Sequence, residues 1–184
     1  MTTSTASAAA TLLAREHADD LRRFFDALPD EDVTVVKEDV RDPAWAGTAA
    51  GDPGPASRWV VLSEQGVVGY AALLPGLGLS SHVGELRLVV ARNARRQGLG
   101  RLLARTALRA ALLAGLSKIV VEVPAEQEGT AEVFRRLGFE GEALLRDHLR
   151  DRDGRLRDLL VLAHFAEETS SALSGLGFDF PDAT

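Results

Sequence analysis

Three polar side chains stand directly in front of a Gly-x-Gly in this chain: Arg95, Arg96 and Gln97, followed by Gly98, Leu99 and Gly100. An apolar helical pattern then runs to Gly115. The first N–H groups of a helix have no partner inside it, and the helix dipole adds partial positive charge there. Glycines let that backbone lie against a ligand without an intervening Cβ. The stretch therefore predicts an anion site of the phosphate-binding kind. Two dedicated phosphate motifs fail on it. A Walker loop needs Lys-Ser/Thr after its second glycine, whereas Arg101 and Leu102 follow Gly100. A dinucleotide fingerprint needs a third glycine at position 103, where the chain has Leu103.

A third pattern fits. The segment "RRQGLG" matches the Arg/Gln-x-x-Gly-x-Gly/Ala signature of the GNAT acyltransferase superfamily, with Arg95, Gly98 and Gly100 on the signature positions. The strand-like "ELRLVV" precedes it and "KIVVEV" follows the helix. "VFRRLGF" then resembles the family's Tyr-x-x-Leu-Gly-Phe helix end, and "LRDHLRDRDGRLRDLLVLAH" resembles its closing hairpin. The resemblance covers roughly residues 11–165. It implies a mixed α/β fold of the GNAT type, with a central, mostly antiparallel open sheet flanked by helices. It implies a coenzyme A thioester, acetyl-CoA, as acyl-donor substrate, and transfer of the acetyl group to a primary amine by direct attack in a ternary complex. The pyrophosphate would be held by backbone amides of Gln97, Gly98, Leu99, Gly100 and Arg101, with Arg95 and Arg96 as charge partners. The free backbone of Val89 and Val90 would pair with the pantetheine arm. Two positions depart from the family: its asparagine is matched by Gln127, and its general-acid tyrosine by Phe134, which has no proton to donate.

An amine attacks only when neutral, and a lysine-like amine is neutral in only about one molecule in 2,500 at pH 7. A general base removes that obstacle. Glu85 stands in the strand before the loop, at about the position where several relatives carry a catalytic glutamate; it equally suits an ion pair with Arg87. Glu122 is a second candidate base. Tyr70, the one tyrosine, is either a substitute acid or a core aromatic. With Phe134 in the acid position, a non-catalytic acyl-CoA-binding or regulatory module is the alternative reading. Asp147, Asp151 and Asp158 in the last hairpin could attract a cationic acceptor.

The elements that must position these groups are legible in the periodicities. Leu21, Phe24, Phe25 and Leu28 recur at helical spacing and Pro29 ends the pattern, with Asp30 expected to cap a second short helix. Residues 41–57 are rich in Gly, Pro and Ala and read as a surface loop. "RWVVLSE" and "VVGYAALLP" form a hairpin pattern. In "HVGELRLVVA", Leu86, Leu88 and Val90 alternate onto one face and Glu85, Arg87 and Val89 onto the other. Leu99, Leu102, Leu103, Ala107, Ala110 and Leu113 form the expected buried stripe of the following helix. Arg101, Arg105 and Arg109 line its polar face, where only Arg101 is close enough to reach a phosphate. Residues 1–10 read as a disordered leader, 11–165 as one domain and 166–184 as a loosely held tail.

Composition narrows the alternatives. The net charge of −6 disfavours nucleic acid as a partner. The absence of cysteine excludes disulfides, thiolate metal sites and a cysteine acyl-enzyme. His17, His82, His148 and His164 are too scattered for a metal pair, so no metal is expected, although His82 and His148 could line an acceptor cleft. No signal peptide or membrane-length apolar run is present, which predicts a cytoplasmic protein with no membrane partner. A homodimer through the hairpin or an open sheet edge is compatible with the sequence, which does not require one.

Overall fold

The computed structural model describes residues 9–33, 36–52, 54–151 and 153–166. The expected leader and tail lie outside these residues, save for positions 9, 10 and 166. Helix α1 (Ala18–Ala27) forms where the apolar spacing predicts it, burying Leu21, Phe24 and Phe25. Asp19 and Asp20 in its first turn complement the dipole. Its open carbonyl end is closed by Arg41, whose guanidinium donates to the oxygens of Phe25, Asp26 and Leu28 at 2.7, 2.9 and 2.7 Å. Helix α2 (Asp30–Val33) follows Pro29, with Asp30 inside the helix rather than capping it.

The segment expected as a surface loop contains helix α3 (Trp45–Gly51), with Ala46, Ala49 and Ala50 buried. Alanine is the best helix former and its small side chain lets a helix lie close to its neighbour. Trp45 fixes the docking, with its ring edge-on to Phe25 at 5.2 Å and to Tyr70 at 5.9 Å.

Seven strands make one sheet: β1 (Ala10–Leu12), β2 (Ser57–Ser63), β3 (Gly66–Pro75), β4 (Val83–Val90), β5 (Lys118–Pro124), β6 (Glu140–Arg150) and β7 (Leu156–Phe165), in the order β1-β2-β3-β4-β5-β7-β6. All neighbours are antiparallel except β4 and β5. The short β1, which pairs with Val61 to Trp59 of β2, has no counterpart in the sequence reading. Three residues are too few for a visible alternation.

Helices α4 (Leu99–Leu113) and α5 (Glu128–Arg135) cover one face of the sheet, packing on Leu86, Val90, Ile119, Val121 and Val123. The other face carries Tyr70, Ala72 and Val89 against α1 and α3. The α4 stripe is Leu99, Leu103, Ala104, Ala107 and Ala111, whereas Leu113 is 73% exposed and Leu102 and Ala110 are half-buried. The helical period favours the alanine positions over the larger Leu113, so size was the wrong guide. Gly115, at φ +74°, turns the chain out of α4. Among the described residues no helix is long and apolar enough to cross a membrane.

Candidate active site

Between β4 and α4 the chain makes a tight turn at Arg92–Ala94 and then two left-handed residues, Arg96 at φ 63° and Gly98 at φ 79°. Gly98 is the residue before the helix, and the first helical bond runs from Leu102 N–H to Gly98 O at 3.0 Å. The N–H groups of Leu99, Gly100 and Arg101 therefore precede the helical ladder. The Leu99 side chain is buried in the core, leaving only its backbone for a ligand. A Cβ on Gly98 would meet nothing within 4 Å, so the loop is open in front of it. Arg96 and Gln97 are exposed, with the Gln97 amide donating to Asn93 O at 3.4 Å. Arg101, Arg105 and Arg109 are exposed along the helix.

Arg95 is held on two sides. Its Nε donates to Val90 O at 3.1 Å, and its Nη2 lies 2.7 Å from Asp32 Oδ2. Asp32 also receives Arg92 Nε at 3.2 Å, while Glu31 pairs with Arg92. Of the backbone expected to be open along β4, the Val90 carbonyl is thus already engaged.

β4 and β5 pair only from Val83–Lys118 to Leu86–Val121. Beyond that point Arg87 to Val90 lose β5, and Glu122 to Pro124 pair with β7 alone. The sheet forks here. A cleft of about 1220 Å³ opens from the fork to the head of α4, lined by Val89, Val90, Arg95, Arg96, Gly98, Gly100 and Arg101 on one side and by Gln127 and Phe134 on the other. At the branch a smaller cavity of about 40 Å³ lies among Glu85, Arg87, Leu88, Glu122, Gln127 and Phe134. Of the residues singled out in the sequence between positions 85 and 134, Glu85, Val89, Val90, Arg95, Arg96, Gly98, Leu99, Gly100, Arg101, Glu122, Gln127 and Phe134 line one or other cavity, whereas Gln97, Arg105 and Arg109 line neither.

Register assigns the side chains to faces. Glu85 stands opposite Leu74 and Val120, so Glu122, two residues beyond Val120, projects on the same face as Glu85. Glu85 accepts Arg87 Nε at 3.0 Å and Nη2 at 3.2 Å, and lies 3.1 Å from Lys37 Nζ. Glu122 Oε2 is 2.6 Å from the same ammonium. Burial pushes the Glu85 carboxyl up, but the hydrogen bonds and charges of Arg87 and Lys37 outweigh it and hold the group below its ordinary range. Glu85 therefore makes the ion pair with Arg87 and also lines the branch cavity.

Tyr70 is wholly buried and lines neither cavity. Its hydroxyl receives Arg58 Nε at 3.1 Å and donates to Glu38 at 3.5 Å, and burial pushes its pKa well above the ordinary value. That makes it a core aromatic. Phe134 is 2% exposed and packs edge-on to Phe139 at 5.3 Å. In the hairpin, Asp151 accepts Arg155 N–H at 2.8 Å and Arg157 Nε at 3.2 Å, and Asp158 accepts Asp147 N–H at 2.9 Å. Those two carboxylates brace the hairpin; only Asp151 reaches the cleft, and its charge is already answered by Arg157. His82 and His148 are exposed and line neither cavity. Among the described residues no group of three or more His, Asp and Glu could hold a metal ion. Lys37 and Asp32 went unnoticed in the sequence, because Asp32 sits in a one-turn helix too short to show periodicity and Lys37 lies outside any helix or strand.

A sequence model of the acetyltransferase (GNAT) family matches residues 14–139. The fold is similar to that of ribosomal-protein-alanine N-acetyltransferase from Brucella melitensis, at 22% identity, TM-score 0.73 and coverage of 85% of this chain and 98% of that one. It is similar to a phosphinothricin acetyltransferase from Sinorhizobium meliloti in complex with acetyl-CoA, at 18% identity, TM-score 0.69 and 86% and 88% coverage. A third likeness is yncA from Salmonella typhimurium, solved with its cofactor acetyl-CoA, at 16% identity, TM-score 0.70 and 97% and 100% coverage. No curated protein matches the chain.

Proposed function

The chain belongs to the acetyltransferase (GNAT) family, and from that premise we propose that it moves an acetyl group from acetyl-CoA to a primary amine by direct attack in a ternary complex. The fork between β4 and β5, with the open helix N-terminus at its far end, is the observation that carries this reading. An extended acyl-pantetheine arm would lie along Arg87 to Val90, where β4 has lost its neighbour and offers strand-like backbone. Its pyrophosphate would meet the amides from Gln97 to Arg101 at the head of α4. Arg95, braced by Asp32 and Val90 O, and the exposed Arg96 would supply charge. Gln127 and Phe134 would wall the acyl end.

In the transfer, the amine nitrogen forms a bond to the thioester carbonyl carbon, the C–S bond breaks, and coenzyme A leaves as thiolate. Glu85 takes the amine proton, directly or through water, and passes it to solvent. Held as a carboxylate by Arg87 and Lys37, it is always in the accepting form at neutral pH. Phe134 supplies no proton, so the thiolate departs without an acid at that position. This same ring favours the second reading, an acyl-CoA-binding module without turnover.

Calorimetric titration of acetyl-CoA into wild type and Gly98→Glu tests the proposal. Binding at micromolar concentration that the variant loses supports it; a folded wild type that binds no acetyl-CoA overturns it. Release of free thiol across a panel of primary amines then separates an enzyme from a binding module.

A further inference from the structure

The chain has 21 cationic Lys and Arg residues, and only two of them, Lys37 and Lys118, are lysines. Lys118 pairs with Glu142 away from the fork. Lys37 places its amine at the branch, 3.1 Å from Glu85 and 2.6 Å from Glu122. Its backbone is left-handed at φ 59°, a conformation that costs a non-glycine residue on the order of 1–2 kcal/mol. Both neighbours hold it there: Val36 O receives Arg87 Nη1 at 2.9 Å, and Glu38 pairs with Arg58 at 2.8 Å. Glu122 Oε2 is shut off from solvent and, among the described residues, accepts no hydrogen bond of regular geometry, so the Lys37 ammonium answers its charge.

The only other lysine stands elsewhere, and every other strong cation of the chain is an arginine, whose guanidinium stays protonated and cannot act as an acyl acceptor. At the branch stands a primary amine, the functional group an N-acetyltransferase modifies. An arm entering from the head of α4 has four residues of open strand to follow, about 13 Å, and ends at the branch cavity walled by Glu85 and Glu122, the two carboxylates that hold Lys37 Nζ, while Lys37 itself lines neither cavity. We propose that Lys37 is itself an acceptor and that the chain acetylates it in cis; this rests on the acetyl-transfer reading above. The Lys37 ammonium yields a proton to Glu85 and on to water. Its nitrogen then bonds to the thioester carbonyl carbon and gives up a second proton to Glu85 and water, the C–S bond breaks, and coenzyme A departs as thiolate and takes up one proton from solvent. The product is a neutral amide that cannot bridge two carboxylates. Glu85 then keeps Arg87 while Glu122 is left without its cation at the branch, a site suited to the ammonium group of an external amine.

The test is incubation of the full chain with acetyl-CoA, followed by intact-mass measurement and peptide mapping at two protein concentrations. Wild type, Lys37→Arg and Gly98→Glu are compared, with acetyl-CoA titrations on each. One acetyl group on Lys37, formed at a rate independent of protein concentration and absent from both variants, supports the proposal. Lys37→Arg keeps a cation between the carboxylates, so its loss of modification does not reflect unfolding. Wild type that binds acetyl-CoA yet leaves Lys37 unmodified, or modifies Lys118 equally, overturns self-acetylation and leaves the donor site standing. A rate that doubles with protein concentration overturns the in-cis step. No binding of acetyl-CoA overturns both.

Discussion

Asp32 Oδ2 lies 2.7 Å from Arg95 Nη2, tying the short helix α2 to the loop that leads into α4. The carboxylate is 9% exposed and also takes Arg92, so it binds two arginines at the edge of the cleft. A guanidinium fixed in this way loses little rotamer freedom when a phosphate arrives. Arg95→Ala is expected to weaken acetyl-CoA binding about 10- to 100-fold, the worth of a charge-assisted hydrogen bond of roughly 1.5–3 kcal/mol. Asp32→Ala keeps the guanidinium but frees it, and a smaller loss of about 5-fold is expected from ordering one long side chain, roughly 1 kcal/mol. Calorimetry on both variants checks the order; tighter binding by Asp32→Ala would show that the carboxylate competes with the phosphates.

The two glycines of the loop differ in what they can tolerate. Gly100 lies inside α4, and a Cβ there would sit 3.8 Å from Leu88 Cδ2 and 3.9 Å from Val90 Cγ2, ordinary contact distances. Gly100→Ala therefore gains helix propensity, up to about 1 kcal/mol, and should raise the melting temperature while retaining acetyl-CoA binding. Gly98 has open space around it but φ +79°. Gly98→Ala should lower stability by about 1 kcal/mol through backbone strain and place a methyl group where the phosphates approach. Melting temperatures of the pair should move in opposite directions, and titrations should show acetyl-CoA binding kept by Gly100→Ala and weakened in Gly98→Ala.

Much of this site was legible because its parts are local. The Arg95–Gly100 run, the alternation through Glu85 to Val90 and the Leu-Gly-Phe after Phe134 each signal a short element whose geometry follows from its own residues. The fork that unites them was not legible from composition or periodicity; the family resemblance implied only a free backbone at Val89 and Val90. Strands that part after Leu86 and Val121 show no break in their apolar alternation. Helix α3 was hidden for a related reason: its helix-forming alanines are interspersed with the Gly and Pro that mark loops, and tertiary packing of Trp45 decides the outcome. Lys37 was the least visible residue. Its place depends on register across β4 and β5 and on a left-handed backbone, neither of which a single sequence displays.

Phe134 occupies the wall of the branch cavity beside Gln127 and Thr130. A water-sized site needs roughly 10–15 Å³, and the cavity of about 40 Å³ has room for one added hydroxyl. Phe134→Tyr is expected to fold and to raise kcat by supplying an acid for the leaving sulfur, an effect worth up to about 100-fold or more where proton transfer limits the rate. The KM for acetyl-CoA should stay unchanged, because the phosphate contacts are untouched. Steady-state kinetics decide it: an unchanged kcat would mean that thiolate departure does not limit turnover.

Glu85 links the site to acid stability. Against the upward push of burial, Arg87 and Lys37 hold its folded pKa below the unfolded value of about 4.3. The folded state therefore binds fewer protons than the unfolded chain at mildly acidic pH, and stability rises with pH across that range. The contribution is complete above the unfolded pKa and fades as pH falls through the folded one. Melting temperatures of wild type and Glu85→Gln should differ most near pH 7 and converge as pH falls below the unfolded value and through the lower folded one, since the other carboxylates act on both proteins alike. Activity should behave differently. With Glu85 ionised throughout the neutral range, the rate should climb with pH as the acceptor amine loses its proton, with no break near neutrality. A midpoint between pH 6 and 8 that vanishes in Glu85→Gln would show instead that bound substrate lifts this carboxyl, and that its pairing with Arg87 and Lys37 opens during turnover.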